Sequence, residues 1–209
     1  MSSIPPSPTT DGTPTWEIAR LFPVQGQWTE SDYFGLSTDR MVELADGRLE
    51  ILPMPTWMHQ MIIDFIASLM RRASEKKSDG ARVLQAPLPV TLFPGTIREP
   101  DILYLTPNCF PKSPHEYPSR LDIAVEVVSE GTESRHRDYV AKRRDYAIGG
   151  VQEYWIVDPF ERHVTVLELG SGNYNELGVF QSGEIARGNF NRFIELPVSD
   201  VMRLVDDVV

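Results

Sequence analysis

The chain reads as a mixed α/β protein: a central mixed β-sheet flanked by helices, opened by a β-hairpin and closed by an antiparallel meander. Three observations predict this. Alternating and helical periodicities follow one another in the order hairpin, helix, three strands, helix, two strands. The dipeptide Asp46-Gly47 lies between alternating segments, which is a strong two-residue hairpin signal. The blocks LDIAVEVV, TESRHRDYVAKRRDYAIGG and VQEYWIVDP follow one another as strand, glycine-terminated helix and strand.

Each element has its own justification. Residues 1–15, rich in Ser, Pro and Thr, read as a flexible tail ahead of a single domain over 16–209. Thr29 to Leu36 fits a short helix capped by Thr29 or Ser31. In the hairpin MVELADGRLEIL, Val42, Leu44, Leu49 and Ile51 share one face, and Glu43, Ala45, Arg48 and Glu50 share the other. That register sets Glu43 opposite Glu50, a destabilising like-charge pair that either a nearby cation or Arg48 would relieve.

Between Met58 and Lys77, Ile62, Phe65, Ile66, Leu69 and Ala73 recur at helical spacing, and Gly80 is a stop. ARVLQAPLPVTLF gives one or two strands, with Pro87 and Pro89 favouring an edge or a bulge. REPDILYL is the next strand, and a polar, Pro-rich loop runs from Thr106 to Ser119. LDIAVEVV puts Asp122, Ala124, Glu126 and Val128 on one face and Leu121, Ile123, Val125 and Val127 on the other. RHVTVLEL and the segment from Asn173 to Phe180 complete the meander.

Composition narrows the function classes. The chain has 209 residues, enough for one well-buried core. Its N-terminus has neither a basic n-region nor an apolar h-region, and no apolar run is long enough to span a membrane. With Cys109 as the single cysteine, an intrachain disulfide and a cysteine-based zinc site are excluded, and a cytoplasmic location is expected. A formal charge of −10 argues against a protein that coats DNA through phosphate neutralisation alone.

Two acids stand where acids are costly. Asp101 opens an apolar strand behind Pro100, and Glu126 sits mid-strand among apolar neighbours. The helix that follows carries Asp138, Lys142 and Tyr146 at intervals of four, along one side. If that helix packs back on its strand, Lys142 is brought towards Glu126. An Asp, a Glu and a Lys at one end of a sheet can hold a divalent cation and activate a water, and carboxylate oxygens suit Mg²⁺ or Mn²⁺.

These residues carry a resemblance. ELADGRLEILPMPTWMHQ, PDILYL and LDIAVEVVSEGTESRHRDYVAKRRDYAIGGVQEYWIVDP, spanning roughly 43–159, resemble the Uma-two family of restriction-endonuclease-like proteins within the PD-(D/E)XK nuclease superfamily. The resemblance implies a restriction-endonuclease-like fold and a metal-dependent endonuclease site acting on DNA phosphodiester bonds. Asp101 answers to the aspartate of the PD motif and Glu126 to the second acid, the two implied metal ligands for Mg²⁺, with Mn²⁺ as substitute. The superfamily's lysine falls two residues after that acid, where this chain has Val128, so Lys142 on the following helix is the candidate. Glu43 matches the early glutamate and is the fourth implied catalytic residue. A homodimer would suit cleavage of both strands of a duplex.

Bland readings stand beside these. Asp101 could simply be a solvated strand start, and Glu126 could pair with Arg135 or Arg143. The clusters Arg135 to Arg144 and Arg71, Arg72, Lys76, Lys77 fit either phosphate contact or solvated helix faces. His59 fits capping or packing, Tyr146, Tyr154 and Trp155 fit the core, and Asp122 and Glu153 fit either the rim or support of the site. The rival functions are a catalytically silent binding module on the same fold and a hydrolase of small phosphoesters.

Overall fold

A computed structural model describes residues 19–38 and 40–207. The tail expected over 1–15 lies outside them. Helix α1 (Glu30–Phe34) starts at Thr29, whose hydroxyl accepts the Asp32 N–H while the Asp32 carboxylate accepts the Thr29 N–H. Strands β1 (Val42–Ala45) and β2 (Arg48–Ile51) form the expected hairpin, with Glu43 opposite Glu50 and Leu44 opposite Leu49. Asp46 and Gly47 both take positive φ, as a primed two-residue turn requires. Gly47 is needed on a second count, since a Cβ there would lie 2.7 Å from the Gly26 carbonyl oxygen.

Helix α2 (Trp57–Lys77) is capped by Thr56 and ends at Ser78 in the left-handed conformation. Its inward stripe is His59, Ile62, Ile63, Ile66, Met70 and Ala73, with Phe65 and Leu69 flanking it. Strands β3 (Arg82–Gln85), β4 (Val90–Phe93), β5 (Thr96–Arg98) and β6 (Ile102–Leu105) follow, then β7 (Ile123–Val127). A continuous helix α3 over 132–148 is α-helical at Thr132–His136, π-helical at Arg137–Lys142 and α-helical again at Arg143–Ile148. Strands β8 (Glu153–Asp158), β9 (His163–Leu169), β10 (Tyr174–Gln181), β11 (Ile185–Arg187) and β12 (Glu195–Pro197) lead into helix α4 (Val198–Asp206).

The central sheet has six strands in the order β10-β9-β8-β7-β6-β3, antiparallel throughout except for β7 beside β8, which α3 connects. A second sheet of four strands runs β2-β1-β5-β4. One face of the central sheet, with Ile102, Tyr104, Ile123, Val125, Val127 and Trp155, packs on α2 and α4. The other, with Leu103, Ala124, Tyr154 and Ile156, packs on Tyr146 and Ala147 of α3 and Val90 and Leu92 of β4. Each large apolar side chain buried in these layers contributes about 1.5–3 kcal/mol.

Three expectations need correcting. REPDILYL is not one strand: Arg98 ends β5 in the four-stranded sheet, and Ile102 begins β6 in the six-stranded one. Pro100 has no N–H for a ladder and restricts Glu99, so the chain crosses between sheets there. Leu121 lies ahead of β7 and packs with Ala124 and Val128 instead of with Ile123. The C-terminal part also continues past the meander into β11, β12 and α4, whose Val198, Val201 and Met202 face α2.

Candidate active site

The crossing from β5 to β6 brings acids and bases from four elements together. Asp101 Oδ2 accepts the Val127 N–H at 2.7 Å, which ties the entry of β6 to the exit of β7. The same oxygen lies 3.3 Å from His59 Nε2. His59 Nε2 is also 2.9 Å from the Val127 carbonyl oxygen, so that nitrogen carries a proton. Burial opposes a charge on His59, but the hydrogen bond and charge of Asp101 outweigh it and raise the imidazole above its ordinary range.

Glu126 faces α3 from the strand position between Val125 and Val127, and is 3% exposed. Lys142 Nζ reaches Glu126 Oε1 at 2.9 Å and Glu43 Oε1 at 3.0 Å, with Asp138 Oδ1 at 4.0 Å. The Tyr146 hydroxyl also donates to Glu126 Oε1. Asp138, Lys142 and Tyr146 thus share the inward side of α3, as their spacing predicts. The π-helical stretch contains both Asp138 and Lys142, and the Tyr154 hydroxyl donates to the Asp138 carbonyl oxygen within it.

Glu43 links this group to a second one. Its Oε1 also accepts the Glu99 N–H at 2.9 Å, and its Oε2 accepts from Arg98 Nη1 at 2.7 Å. Arg98 donates further to Glu50 at 2.9 Å and, through Nε and Nη2, to Asp145 Oδ2 at 3.0 and 2.6 Å. The cation that the Glu43–Glu50 pair needs is therefore Arg98, not Arg48.

Burial and like charge set the electrostatics. Burial, together with the charges of Asp101, Asp138 and Glu43, pushes Glu126 up to about 8 despite Lys142. Burial likewise lifts Asp138 to about 6. Glu43 is buried too, but the Lys142 and Arg98 charges overcome that and hold it down at about 2. For Lys142, burial opposes the charge and the carboxylates of Glu126, Glu43 and Asp138 overcome it, so the ammonium stays charged.

A cavity of about 240 Å³ opens onto this group, and Asp101, Glu126, Asp138, Lys142, His59, Glu99 and Arg137 line it. Three of the four anticipated residues, Asp101, Glu126 and Lys142, therefore meet at one cavity. Glu43 is wholly buried behind Lys142 and is not part of the lining. Asp122 and Glu153 lie away from it at the opposite ends of β7 and β8. Asp122 there accepts the Thr106 N–H, and Glu153 accepts from Trp155 Nε1 and the Phe190 N–H.

The basic residues of α3 are mostly engaged within the fold. Arg135 pairs with Asp158, Arg137 with Asp138, and Arg144 with Asp145 and Asp46, while Arg143 donates to the Tyr174 carbonyl oxygen. In the second cluster, Arg71 donates to Gln85 and Lys77 to the Phe190 carbonyl oxygen. Tyr146, Tyr154 and Trp155 are core residues. Reading the sequence missed Arg98 and Asp145 as the second charge group, and Glu99 as a lining residue. An arginine directly ahead of Glu-Pro-Asp, in a strand that must be buried, is the signal that could have found the first.

The donor set suits a small hard cation. Asp101 Oδ1 and Glu126 Oε2 take no part in the bonds above, and both side chains line the cavity. The excess of carboxylates over cations, which adds to burial in lifting Glu126 and Asp138, is an imbalance that a divalent ion can relieve. Among the described residues, no three His, Cys, Asp or Glu side chains form a metal centre by themselves. A set of two carboxylates completed by water is a Mg²⁺ arrangement, not a zinc one.

Comparison with known proteins agrees with this architecture. A crystal structure of a "putative nuclease belonging to DUF820" from Anabaena variabilis ATCC 29413 superposes with a TM-score of 0.69 at 20% sequence identity, covering 88% of this chain and 99% of that one. At that identity the likeness shows the fold, which is of restriction-endonuclease-like type. No curated protein matches the chain. No helix among the described residues is long and apolar enough to cross a membrane. The family model "Uma2: Putative restriction endonuclease" matches residues 28–199, most of the chain, and the protein belongs to that family.

Proposed function

We propose that the protein is a Mg²⁺-dependent endonuclease that hydrolyses DNA phosphodiester bonds. The observation that carries the reading is the meeting of Asp101, Glu126 and Lys142 at one cavity in a chain of this family. Asp101 and Glu126 would hold the ion, with Mn²⁺ able to substitute. Once bound, such an ion acidifies a water and stabilises charge on the phosphoryl oxygens.

The chain's own residues do the rest. Lys142 has three N–H donors, of which Glu126 and Glu43 take two. The third is available to an anionic oxygen of the scissile phosphate or to the attacking water. Glu43 is a positioning residue: it fixes the ammonium from behind and keeps it cationic. Tyr146 orients Glu126 by donating to Oε1, and the Val127 N–H and His59 hold Asp101.

The test is cleavage of plasmid and oligonucleotide DNA with Mg²⁺. Asp101→Ala, Glu126→Ala and Lys142→Ala should each slow it by about 10²–10³-fold, the typical loss on removing one electrostatic stabiliser. Variants that cut as fast as the parent would overturn the assignment. A parent inert on every DNA tested, yet binding a partner saturably, would favour a silent module instead.

A further inference from the structure

The cavity is more apolar than polar. Besides the charged group its wall includes Met41, Leu52, Pro53, Met54, Ala86 and Pro87. An occupant that brings an anion to Lys142 also meets these apolar side chains, and a nucleotide, with a phosphate joined to a flat base, can do both. A second observation lies at the rim. Met54 and Trp57 are 76% and 72% exposed, although large apolar side chains usually find cover. Trp57 opens α2 two residues after Pro55 and three before Gln60, both of which line the cavity, so its exposed side chain stands close to the cavity mouth. A third is Glu99, which also lines the cavity and whose Oε2 is buried without a hydrogen-bond partner, while Tyr33 occupies Oε1. A rotation of the carboxyl group towards the cavity would let that oxygen accept an N–H from the edge of a base.

Charge argues the same way. Tracking a duplex through its phosphates needs free cations along a surface. Here Arg135, Arg137 and Arg144 beside the site are spent on Asp158, Asp138, and Asp145 with Asp46, and the chain carries −10 overall. These cations therefore supply little of the affinity. Stacking on exposed aromatic and apolar side chains is the available source, and it requires bases that are not already stacked in a duplex.

We infer that the substrate strand is unpaired at the site of reaction: one base enters the cavity against its apolar side chains, its edge towards Glu99, and a neighbouring base stacks on Trp57. This rests on the nuclease reading for the position of the phosphate, but it makes its own prediction about binding.

The test is fluorescence anisotropy with a labelled single-stranded DNA and the same sequence as a duplex, with Ca²⁺ in place of Mg²⁺ so that binding is read without turnover. The parent should bind the single strand at least about tenfold more tightly, as loss of one to two stacked bases implies. Trp57→Ala should remove most of that margin at an unchanged melting temperature, because the side chain is exposed. Glu99→Gln, which preserves the shape, should weaken binding of the single strand more than of the duplex. Equal or tighter binding of the duplex, or a Trp57→Ala protein that keeps the full margin, overturns the inference whatever the cleavage assay gives. A single-strand margin in a protein that cuts nothing would sustain the base site and defeat the nuclease reading.

Discussion

Arg98 and Lys142 are both buried cations beside the same carboxylate, Glu43, yet their surroundings differ. Around Arg98 every guanidinium nitrogen has a carboxylate: Nη1 meets Glu43 and Glu50, and Nε and Nη2 meet Asp145. No oxygen there lines the cavity apart from the backbone neighbour Glu99. Around Lys142 the count does not close. Asp101, Glu126, Asp138 and Glu99 outnumber Lys142, Arg137 and His59, Asp101 Oδ1 and Glu126 Oε2 take no part in the bonds described, and the group faces open space. The Arg98 group joins the four-stranded sheet to α3 and specifies how they dock. The Lys142 group, joined to it through Glu43, is held in an unbalanced state that a ligand can complete. Burial alone therefore does not distinguish the two groups; closure of the hydrogen-bond set does.

Breaking each group should therefore give different results. Arg98→Met leaves Glu43 and Asp145 buried without their partner, and should cost about 3–5 kcal/mol in urea unfolding. A loss below about 1 kcal/mol would mean that the Arg98 group is not what docks the two layers. Lys142→Met should cost less stability, because Glu126, already lifted to about 8, can take up a proton and remain neutral. Its effect should instead fall on turnover, by about 10²–10³-fold.

The pH dependence of stability sharpens the contrast. Glu43, held at about 2 against an ordinary 4.5, contributes stability that is present above about pH 4.5 and is lost as pH falls towards 2. Glu126 works in the opposite sense. Pushed up to about 8, it keeps a proton in the folded state that the unfolded chain has released, so stability declines as pH rises from about 4.5 to 8. In metal-free buffer, melting curves should thus show loss at both ends. Glu43→Gln should flatten the acid side and Glu126→Gln the upper one. Excess Mg²⁺ should flatten the upper side of the parent alone; a parent whose upper side ignores Mg²⁺ would count against the unbalanced group. Smallest of all, Arg144→Ala removes a pair that is half exposed, and should change stability by no more than about 0–1 kcal/mol.

Much of this was legible in the chain itself. Asp46-Gly47 fixed the hairpin register, including the costly Glu43–Glu50 apposition, because turn chemistry is local. Alternation in LDIAVEVV set Glu126 towards α3, and the four-residue spacing put Asp138, Lys142 and Tyr146 on one side. What could not be read depended on contacts distant in sequence. The break in REPDILYL, with Arg98 and Asp101 in different sheets, follows from a sheet pairing that no local pattern reveals. The π-helical stretch of α3 has no sequence period of its own. Strands as short as β5, β11 and β12 are below the length at which alternation is informative, although the Val198, Val201 and Met202 spacing of α4 was there to be seen. His59 was expected to cap or pack; it does sit in the first turn of α2, but its ring also meets Asp101.

The most direct test of the unbalanced site is calorimetric titration of Mn²⁺ into the metal-free parent and into Glu126→Gln and Asp101→Asn. The parent should bind saturably at this site, with binding abolished or weakened at least about tenfold in each variant and protons released on binding at neutral pH. Binding of equal strength in all three proteins, or none in the parent, would contradict a metal site there.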